Sequence, residues 1–272
     1  MSEEKNKWLS VGNSELSTIE NSIKKGSSSK GKPFGSLPLD ENGIPFINTE
    51  QKVIIGDDDR EKVKTLEYPY NCIALLRIEH NGRQDWATGF FISERCVATA
   101  GHCVFYNGQW AKSVTVIPGA NLEGYPTRWG EAKATVLRSV KGWVRDGDAE
   151  YDYGAIILPD DTLHNRLRGT MGYAEYRPEH AKEVELSGYP YSIDKLQEQY
   201  HVKGKIDRVE ANRLYYTIDT EAGQSGSPLF VREGDKCVVV GVHRGANKTE
   251  TENHAISINE GVICRWQEWS KI

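Results

Sequence analysis

The sequence predicts an all-β fold that ends in a short helix. From residue 70 onward, short apolar runs recur along the chain, and Gly, Asn, Asp and Pro separate them. This rhythm is typical of a β-sandwich or β-barrel, because the strands are brief and the turns need residues that tolerate unusual backbone angles. The final segment, Ile263–Trp269, has the character of a helix instead.

The predicted strands follow the apolar runs in chain order: Cys72–Ile78, Gly89–Ser93, Val97–Ala100, Val114–Ile117, Ala134–Val140, Ala155–Leu158, Val184–Ser187, Gln199–Val209, Leu214–Ile218, Ser227–Val231, Cys237–Val242 and His254–Ile258.

The first 52 residues differ from the rest in composition. The stretch Lys24–Pro33 is rich in Gly, Ser and Lys and has little to bury, which favours a flexible leader over a functional basic patch. The segment Met1–Trp8 lacks the uninterrupted apolar core of a signal peptide. We therefore expect export without an ordinary signal, a longer gene product, or a protein that stays inside the cell.

Overall composition excludes some partners. With a formal charge of −5 and scattered Lys and Arg, the chain has no electrostatic footprint for nucleic acid. No apolar run approaches the ~20 residues that a membrane span needs. We expect no nucleic-acid or membrane partner.

One serine lies between small residues in the segment Thr220–Phe230, which leads into an apolar strand. Gly223 and Gly226 flank Ser225, and glycines permit positive φ and the close approach of a substrate. A serine hydroxyl needs a neighbouring base and backbone donors to act as a nucleophile. Taken alone, the segment favours a plain Gly/Ser loop, because short motifs often match by chance.

Two upstream segments supply partners for such a serine. His102 ends a β-prone run, which suits a base held at a strand terminus, and Asp152 directly precedes an apolar strand, where it can be buried and can orient an imidazole. Asp146 and Asp148 are alternatives for the acid, but they lie in a polar, Gly-containing turn. The order His, Asp, Ser is that of the chymotrypsin type, whereas α/β-hydrolases run Ser, acid, His.

Three motifs together resemble the chymotrypsin-fold serine proteases, nearest to the glutamyl endopeptidase (V8-like) branch. They are TAGHC at Thr99–Cys103, YDYGAI at Tyr151–Ile156 and GQSGSP at Gly223–Pro228. Further matches follow in the same order over about residues 53–272: Val53–Asp58 with Arg60, Pro69–Asn71, Ser187–Pro190, Tyr216–Thr220 and Gly241–His243.

This resemblance implies two antiparallel β-barrels with the active site in the cleft between them. Residues 53–165 would form the N-terminal barrel and carry the His and Asp, and residues 166–272 would form the C-terminal barrel with the helix and carry the Ser. The chain would cross between them near Asp160–Thr170. Relatives are made as secreted precursors, and the matched mature start is Val53, so residues 1–52 are a candidate propeptide.

The implied chemistry is acyl transfer without a cofactor. His102 takes the proton of Ser225 and returns it to the leaving amine, while Asp152 orients His102. The backbone N–H groups of Gly223 and Ser225 would form the oxyanion hole. We expect a monomer that acts on protein or peptide substrates.

The matched branch also implies a pocket for an acidic side chain. Its members use a hydroxyl residue, a histidine and the free amine of the mature N-terminus, which here are Thr220, His243 and Val53. A hydroxyl and an imidazole donate hydrogen bonds to a carboxylate, and a protonated imidazole adds charge. Cleavage after Glu, and less readily after Asp, is therefore expected. Arg244 either touches an acidic substrate or is solvated beside the cleft, and we favour the second.

The cysteines predict neither the usual disulfide nor a metal site. Ala87 stands where such enzymes place the partner of Cys103, and the odd total of five leaves at least one thiol unpaired. Cys96, His102 and Cys103 do not supply the four well-spaced ligands of structural zinc. No metal is expected.

Two other functions stay open from the sequence. The chain is compatible with a non-catalytic, chymotrypsin-fold binding or regulatory module that keeps the triad residues but cannot mature its N-terminus. A hydrolase of small esters is the other alternative, since any activated serine cleaves esters.

Overall fold

The computed structural model describes residues 6–13, 58–80, 83–121, 128–179, 183–191, 198–246 and 251–272. Within these ranges the chain is mostly β, and its strands form two large sheets and one small hairpin. No helix among the described residues has the length and apolar character to cross a membrane.

The first sheet has eight strands within the described residues, in the spatial order β1-β10-β11-β5-β4-β3-β8-β9, and all its pairings are antiparallel. Its strands are β1 (Ser10–Gly12), β3 (Ile73–His80), β4 (Arg83–Phe91), β5 (Cys96–Thr99), β8 (Ser113–Pro118), β9 (Ala132–Ala134), β10 (Val136–Val140) and β11 (Gly154–Ile157). The hairpin of β6 (Phe105–Tyr106) and β7 (Gln109–Trp110) follows β5 in the chain.

The second sheet runs β15-β16-β19-β18-β17-β13-β14-β2, and β12 pairs with β18 in parallel. Its strands are β2 (Glu61–Lys62), β12 (Gly172–Tyr173), β13 (Val184–Gly188), β14 (Tyr200–Gly204), β15 (Arg208–Glu210), β16 (Arg213–Tyr216), β17 (Pro228–Glu233), β18 (Lys236–Ala246) and β19 (Asn253–Ser257).

The helices among the described residues are short and lie at the ends of strands. Four-residue helices span Gly101–Val104 and Lys141–Val144, a six-residue helix spans Thr162–Leu167, and the terminal helix spans Glu260–Trp269. Asn259 caps the terminal helix, because its side chain accepts the Val262 backbone N–H at 3.1 Å. Trp266 and Trp269 of that helix are buried in a core that residues of both sheets share.

The predicted all-β class and terminal helix are confirmed, with differences at particular elements. The run Gln199–Val209 is two strands, β14 and β15, separated at 205–207. The helix starts at Glu260, three residues before the predicted start. The helix Thr162–Leu167 occupies the predicted crossover, and the boundary drawn between residues 165 and 166 falls inside it.

Two short strands correct the domain assignment. β2 was assigned to the N-terminal barrel but pairs with β14 of the second sheet. β1 lies in the predicted flexible leader but pairs with β10 along its full length, so that prediction is wrong for residues 6–13. The stretch Lys24–Pro33 lies outside the described residues.

Candidate active site

His102 lies in the helical turn that follows β5. Ala100 keeps extended backbone (φ −71°, ψ 151°), and the chain then turns at Gly101. The His102 ring Nδ1 lies 2.9 Å from Oδ2 of Asp152, and the His102 backbone N–H donates to Oδ1 of the same carboxylate at 2.8 Å. Two contacts with the same carboxylate thus fix the orientation of the His102 imidazole.

Asp152 follows a turn of 3₁₀ helix, Ala149–Tyr151, and is fully buried. Burial alone raises the pKa of its carboxyl, but the His102 ring and the Arg244 guanidinium lower it to about 2. The same carboxylate raises the pKa of His102 against the lowering effect of burial. The Asp152 carboxyl is therefore charged near neutral pH and favours the protonated form of the His102 ring.

The alternative acids are placed for other tasks. Asp148 caps the 3₁₀ turn by accepting the Glu150 N–H at 3.1 Å, and it forms an ion pair with Lys7 at 2.8 Å. Asp146 is exposed in the same turn. Only Asp152, among these three, contacts His102 in the structure.

Glycine at 101 is required by this arrangement. A Cβ built on Gly101 would lie 2.8 Å from Cδ1 of Trp143 and 2.9 Å from Oδ1 of Asp152. Real Cβ contacts of this length essentially never occur, so any larger residue would push the acid or the indole aside. The backbone of the histidine turn can approach the acid only because the side chain is absent.

The prediction that Arg244 is solvated beside the cleft is wrong, because its side chain contacts Asp152. Its Nε donates to Oδ2 of Asp152 at 2.7 Å, and only 26% of its side chain is exposed. Its Nη1 lies 3.4 Å from Nε2 of His254. The guanidinium therefore shares one carboxylate oxygen with the His102 ring, and sequence reasoning missed this role although the arginine directly follows a buried strand segment.

The serine turn is held by both sheets. Gly226 has φ +83°, and a Cβ there would lie 2.2 Å from the Thr88 carbonyl and from Oγ1 of Thr99. The Thr88 N–H donates to the Ser225 carbonyl at 2.8 Å, and the Gly226 N–H donates to the His243 carbonyl at 2.8 Å. Glycine is thus needed where the turn of the second sheet presses against the first.

Thr88 is a site residue that the sequence did not reveal. Its hydroxyl donates to the Gly223 carbonyl at 2.9 Å and accepts the Tyr189 N–H at 3.1 Å, and the side chain is fully buried. Thr99 in turn donates to the Thr88 carbonyl at 2.8 Å. A threonine in a strand carries no sequence signal for such a contact, because strands commonly contain threonine.

The Ser225 hydroxyl donates to the Arg244 carbonyl at 3.3 Å. Among the described residues, it makes no hydrogen bond with the His102 ring, a common feature of sites without substrate. Cys103, next to His102, contacts the Ser225 carbonyl through its Sγ at 3.9 Å. The backbone N–H groups of Gly223 and Ser225 have no acceptor within the described residues.

The predicted pocket residues Thr220 and His243 are both buried, with 2% and 1% of their surface exposed. The Tyr216 hydroxyl lies 2.6 Å from Nδ1 of His243. Burial, together with His254, His102 and Arg244, lowers the pKa of His243 to about 3. In this state of the molecule the His243 imidazole is therefore neutral near pH 7.

A buried ion pair anchors the chain beside this pocket. Nη1 of Arg60 lies 3.0 Å from Oε2 of Glu221, and the Arg60 side chain has no exposed surface. The Arg60 Nε also donates to Asp58 at 2.8 Å. Val53 lies outside the described residues, but residues 58–60 run next to the segment that carries Thr220.

The cysteines form no disulfide among the described residues. All five cysteines are free thiols, and Cys264 is the exposed one. Burial raises the pKa of Cys96 to about 12, so this thiol is unreactive near neutrality. Within the described residues, no group of three or more His, Cys, Asp and Glu side chains is placed to hold a metal ion.

A His–Asp pair next to a serine turn that both β-sheets hold is the arrangement of residues found in chymotrypsin-fold serine proteases. The family model described as Trypsin matches residues 61–266, and the chain belongs to this family of serine endopeptidases. This confirms the resemblance found in the motifs.

The chain is similar to two glutamyl endopeptidases and to one protein that is named a metalloprotease. The chain is 37% identical to the glutamyl endopeptidase of Bacillus licheniformis over 193 residues, 68% of this chain and 57% of the relative. It is 31% identical to a protein of Bacillus subtilis named extracellular metalloprotease, over 90% of this chain and 77% of that relative. The solved structure of a Glu endopeptidase in complex with MPD superposes with a TM-score of 0.71 at 27% identity and covers 81% of this chain and 100% of its own.

Proposed function

We propose that the protein hydrolyses peptide bonds after Glu, and less readily after Asp, with His102, Asp152 and Ser225 as its catalytic triad. The observation that carries the proposal is the buried Asp152 carboxylate, which binds the His102 ring at 2.9 Å beside the serine turn. The alternative acids support the choice of Asp152, because Asp146 is exposed and Asp148 pairs with Lys7.

In the proposed reaction, the Ser225 hydroxyl rotates from the Arg244 carbonyl to the imidazole and attacks the peptide carbonyl. His102 accepts the hydroxyl proton and delivers it to the leaving amine, and a water molecule then repeats the sequence to release the acid. The N–H groups of Gly223 and Ser225 stabilise the oxyanion, a contribution typically worth about 3–4 kcal/mol per donor. The vacated Arg244 carbonyl accepts a hydrogen bond from the substrate backbone.

Selectivity for Glu would come from Thr220, His243 and the mature amine of Val53. Because burial raises the pKa of Tyr216 well above its ordinary value, its phenol keeps its proton and donates to Nδ1 of His243. This hydrogen bond fixes the tautomer with the proton on Nε2, which then donates to the substrate carboxylate. A carboxylate placed there would also raise the pKa of the imidazole and draw it toward the protonated form.

Maturation at Val53 fits the placement of the following segment. Arg60 is anchored at Glu221, next to Thr220, and the five residue steps from Val53 to Asp58 allow a reach of at most roughly 17 Å. We propose that this reach brings a free amine at Val53 to the pocket. Lys52–Val53 does not match cleavage after Glu, so a second protease or trimming after Glu50 is required.

The test compares four matched peptides that differ only in the residue before the scissile bond: Glu, Gln, Lys and Phe. We expect kcat/KM for Glu to exceed that for Gln by at least about tenfold, since the pocket is built for a carboxylate. Preference for Lys or Phe would refute the pocket assignment. Ser225→Ala should abolish turnover of all four peptides with the fold retained.

The name of the Bacillus subtilis relative makes metal dependence a specific alternative. Full turnover after treatment with a chelator, combined with inactivation by a serine-directed phosphonate, would support the serine mechanism. Loss of turnover with the chelator and recovery with zinc would overturn it. A non-catalytic module is another alternative, and it predicts that neither the full chain nor a chain beginning at Val53 cuts any peptide.

A further inference from the structure

Residues 6–13 are built into the protease fold although they precede the proposed mature start. β1 pairs with β10 in the register Ser10↔Val140, Val11↔Ser139 and Gly12↔Arg138. Two more backbone hydrogen bonds extend this pairing: the Lys141 N–H donates to the Leu9 carbonyl at 2.9 Å, and the Asn13 N–H donates to the Leu137 carbonyl at 3.4 Å. Val11 is 2% exposed, so the strand also contributes to the core.

Trp8 packs directly against the residues on either side of Asp152. Its ring centroid lies 4.7 Å from that of Tyr151 in an edge-on arrangement and 6.0 Å from that of Tyr153. The other side of the indole faces the terminal helix, where a Cβ on Gly261 would lie 2.6 Å from the ring. A glycine in the first turn of that helix thus leaves the space that Trp8 fills.

Polar contacts hold the segment at Lys7 and at Ser10. Lys7 forms an ion pair with Asp148 at 2.8 Å, which caps the turn leading to Asp152. The Trp269 indole N–H donates to the Ser10 hydroxyl at 2.8 Å. Ser139, the register partner of Val11, donates its hydroxyl to the Tyr153 carbonyl at 2.8 Å. The segment therefore braces the Asp152 turn through its capping acid, its flanking rings and the adjacent strand.

We propose that residues 6–13 position Asp152 for catalysis and that, after the chain is cut near Val53, they stay bound to the protease body as a separate peptide. The occupant of this surface is thus the protein's own N-terminal segment. Its retention depends only on the contacts described above, whereas its effect on turnover rests on the proposed function.

The binding test cuts the chain without relying on its own activity. A recognition site for an unrelated, sequence-specific protease is placed within residues 24–33 of the full chain, and the cut protein is separated by size exclusion and identified by mass spectrometry. We expect the N-terminal peptide to elute with the body in buffer and apart from it in denaturant. Elution of the peptide apart from the body in buffer would overturn the proposal.

Trp8→Ala and Asn6→Ala form a matched pair in this experiment. Trp8→Ala should raise the dissociation constant of the peptide about 30-fold, as loss of a central Trp anchor typically does. Asn6→Ala removes only an exposed 3.3 Å contact with Lys141 and should change it about twofold or less. Equal effects of the two substitutions would contradict the assigned anchor.

The positioning role is measured on the uncut chain. Uncut Trp8→Ala should lose about tenfold in kcat with KM nearly unchanged, as expected when a catalytic group is misplaced. The His102 Nδ1 proton signal should shift in the same variant. An unchanged kcat together with an unchanged proton signal would overturn positioning. If no form cuts peptides, the proposed function fails, and the proton signal and the binding test still decide this proposal.

Discussion

The contact between Arg244 and Asp152 predicts how the activity depends on pH. The substitution Arg244→Gln removes the positive charge that shares Oδ2 of Asp152 with the His102 ring. Without this charge, the carboxylate stabilises the protonated imidazole more strongly, and the pKa of His102 rises. Because only the neutral imidazole accepts the serine proton, the acidic limb of the activity profile should move to higher pH.

The structure sets the size of this shift. Nε of Arg244 and Nδ1 of His102 bind the same oxygen at 2.7 and 2.9 Å, so they lie no more than about 5.6 Å apart. At this distance and an effective dielectric constant of about 20, two unit charges repel by about 3 kcal/mol, or about two pKa units. About a quarter of each side chain is exposed to solvent, which screens the pair, so we expect a shift of about one pH unit.

The assay is kcat/KM for a Glu peptide from pH 4.5 to 9, because its acidic limb reports the essential base of the free enzyme. The titratable groups around Arg244 and His102 are Asp152, Cys103, His243 and His254. Arg244→Lys is the matched control, since it keeps the charge while losing the planar hydrogen-bonding group.

Arg244→Gln should move the acidic limb upward by about one unit, and Arg244→Lys should leave it within about 0.3 unit while lowering the plateau. A downward shift in Arg244→Gln, or equal shifts in the two variants, would refute the electrostatic reasoning. An unchanged limb in both would show that the guanidinium does not act on the catalytic pair.

Other substitutions test the remaining features of the site. Gly101→Ala places a Cβ 2.9 Å from Oδ1 of Asp152 and should lower kcat about 100-fold with little change in KM. The control is Gly172→Ala, whose Cβ meets nothing closer than 3.5 Å, and it should retain full activity. Arg60→Met leaves Glu221 buried without its Arg60 partner and should lower the free energy of unfolding in urea by about 3–5 kcal/mol. The double variant Arg60→Met/Glu221→Leu should recover most of this loss. A single variant as stable as the natural chain would contradict a desolvated ion pair. Tyr216→Phe removes the 2.6 Å hydrogen bond to Nδ1 of His243 and should reduce the preference for Glu over Gln by about 5–10-fold, while kcat/KM for the Gln peptide stays the same. An unchanged ratio of kcat/KM values would show that the phenol does not contribute to selectivity.

Much of the fold followed from the sequence because its signals are local. Apolar runs bounded by turn residues predicted most strands, and the motifs around His102, Asp152 and Ser225 predicted which strand ends meet. β1 and β2 were missed because they have three and two residues and no alternation that a pattern can report. Both are strands only through pairing with distant partners.

The site contacts that escaped prediction are likewise long-range. Arg244 lies 92 positions from Asp152, and nothing in either local segment indicates that the two meet. The neutral state of His243 depends on its burial and on the neighbouring His254, His102 and Arg244, which a motif does not encode. The residue types indicated the chemistry of the site, whereas the charge states and the supporting side-chain contacts could be read only from the packed structure.

The most direct test of the central claim is to locate the covalent label left by a serine-directed phosphonate. The protein is incubated with the reagent in the presence of a chelator, and the labelled peptide is sequenced by mass spectrometry. The proposed triad predicts one label on Ser225, formed in step with the loss of peptidase activity, and greatly slowed labelling in His102→Ala. Labelling at another residue, or full peptidase activity after complete labelling of Ser225, would contradict it.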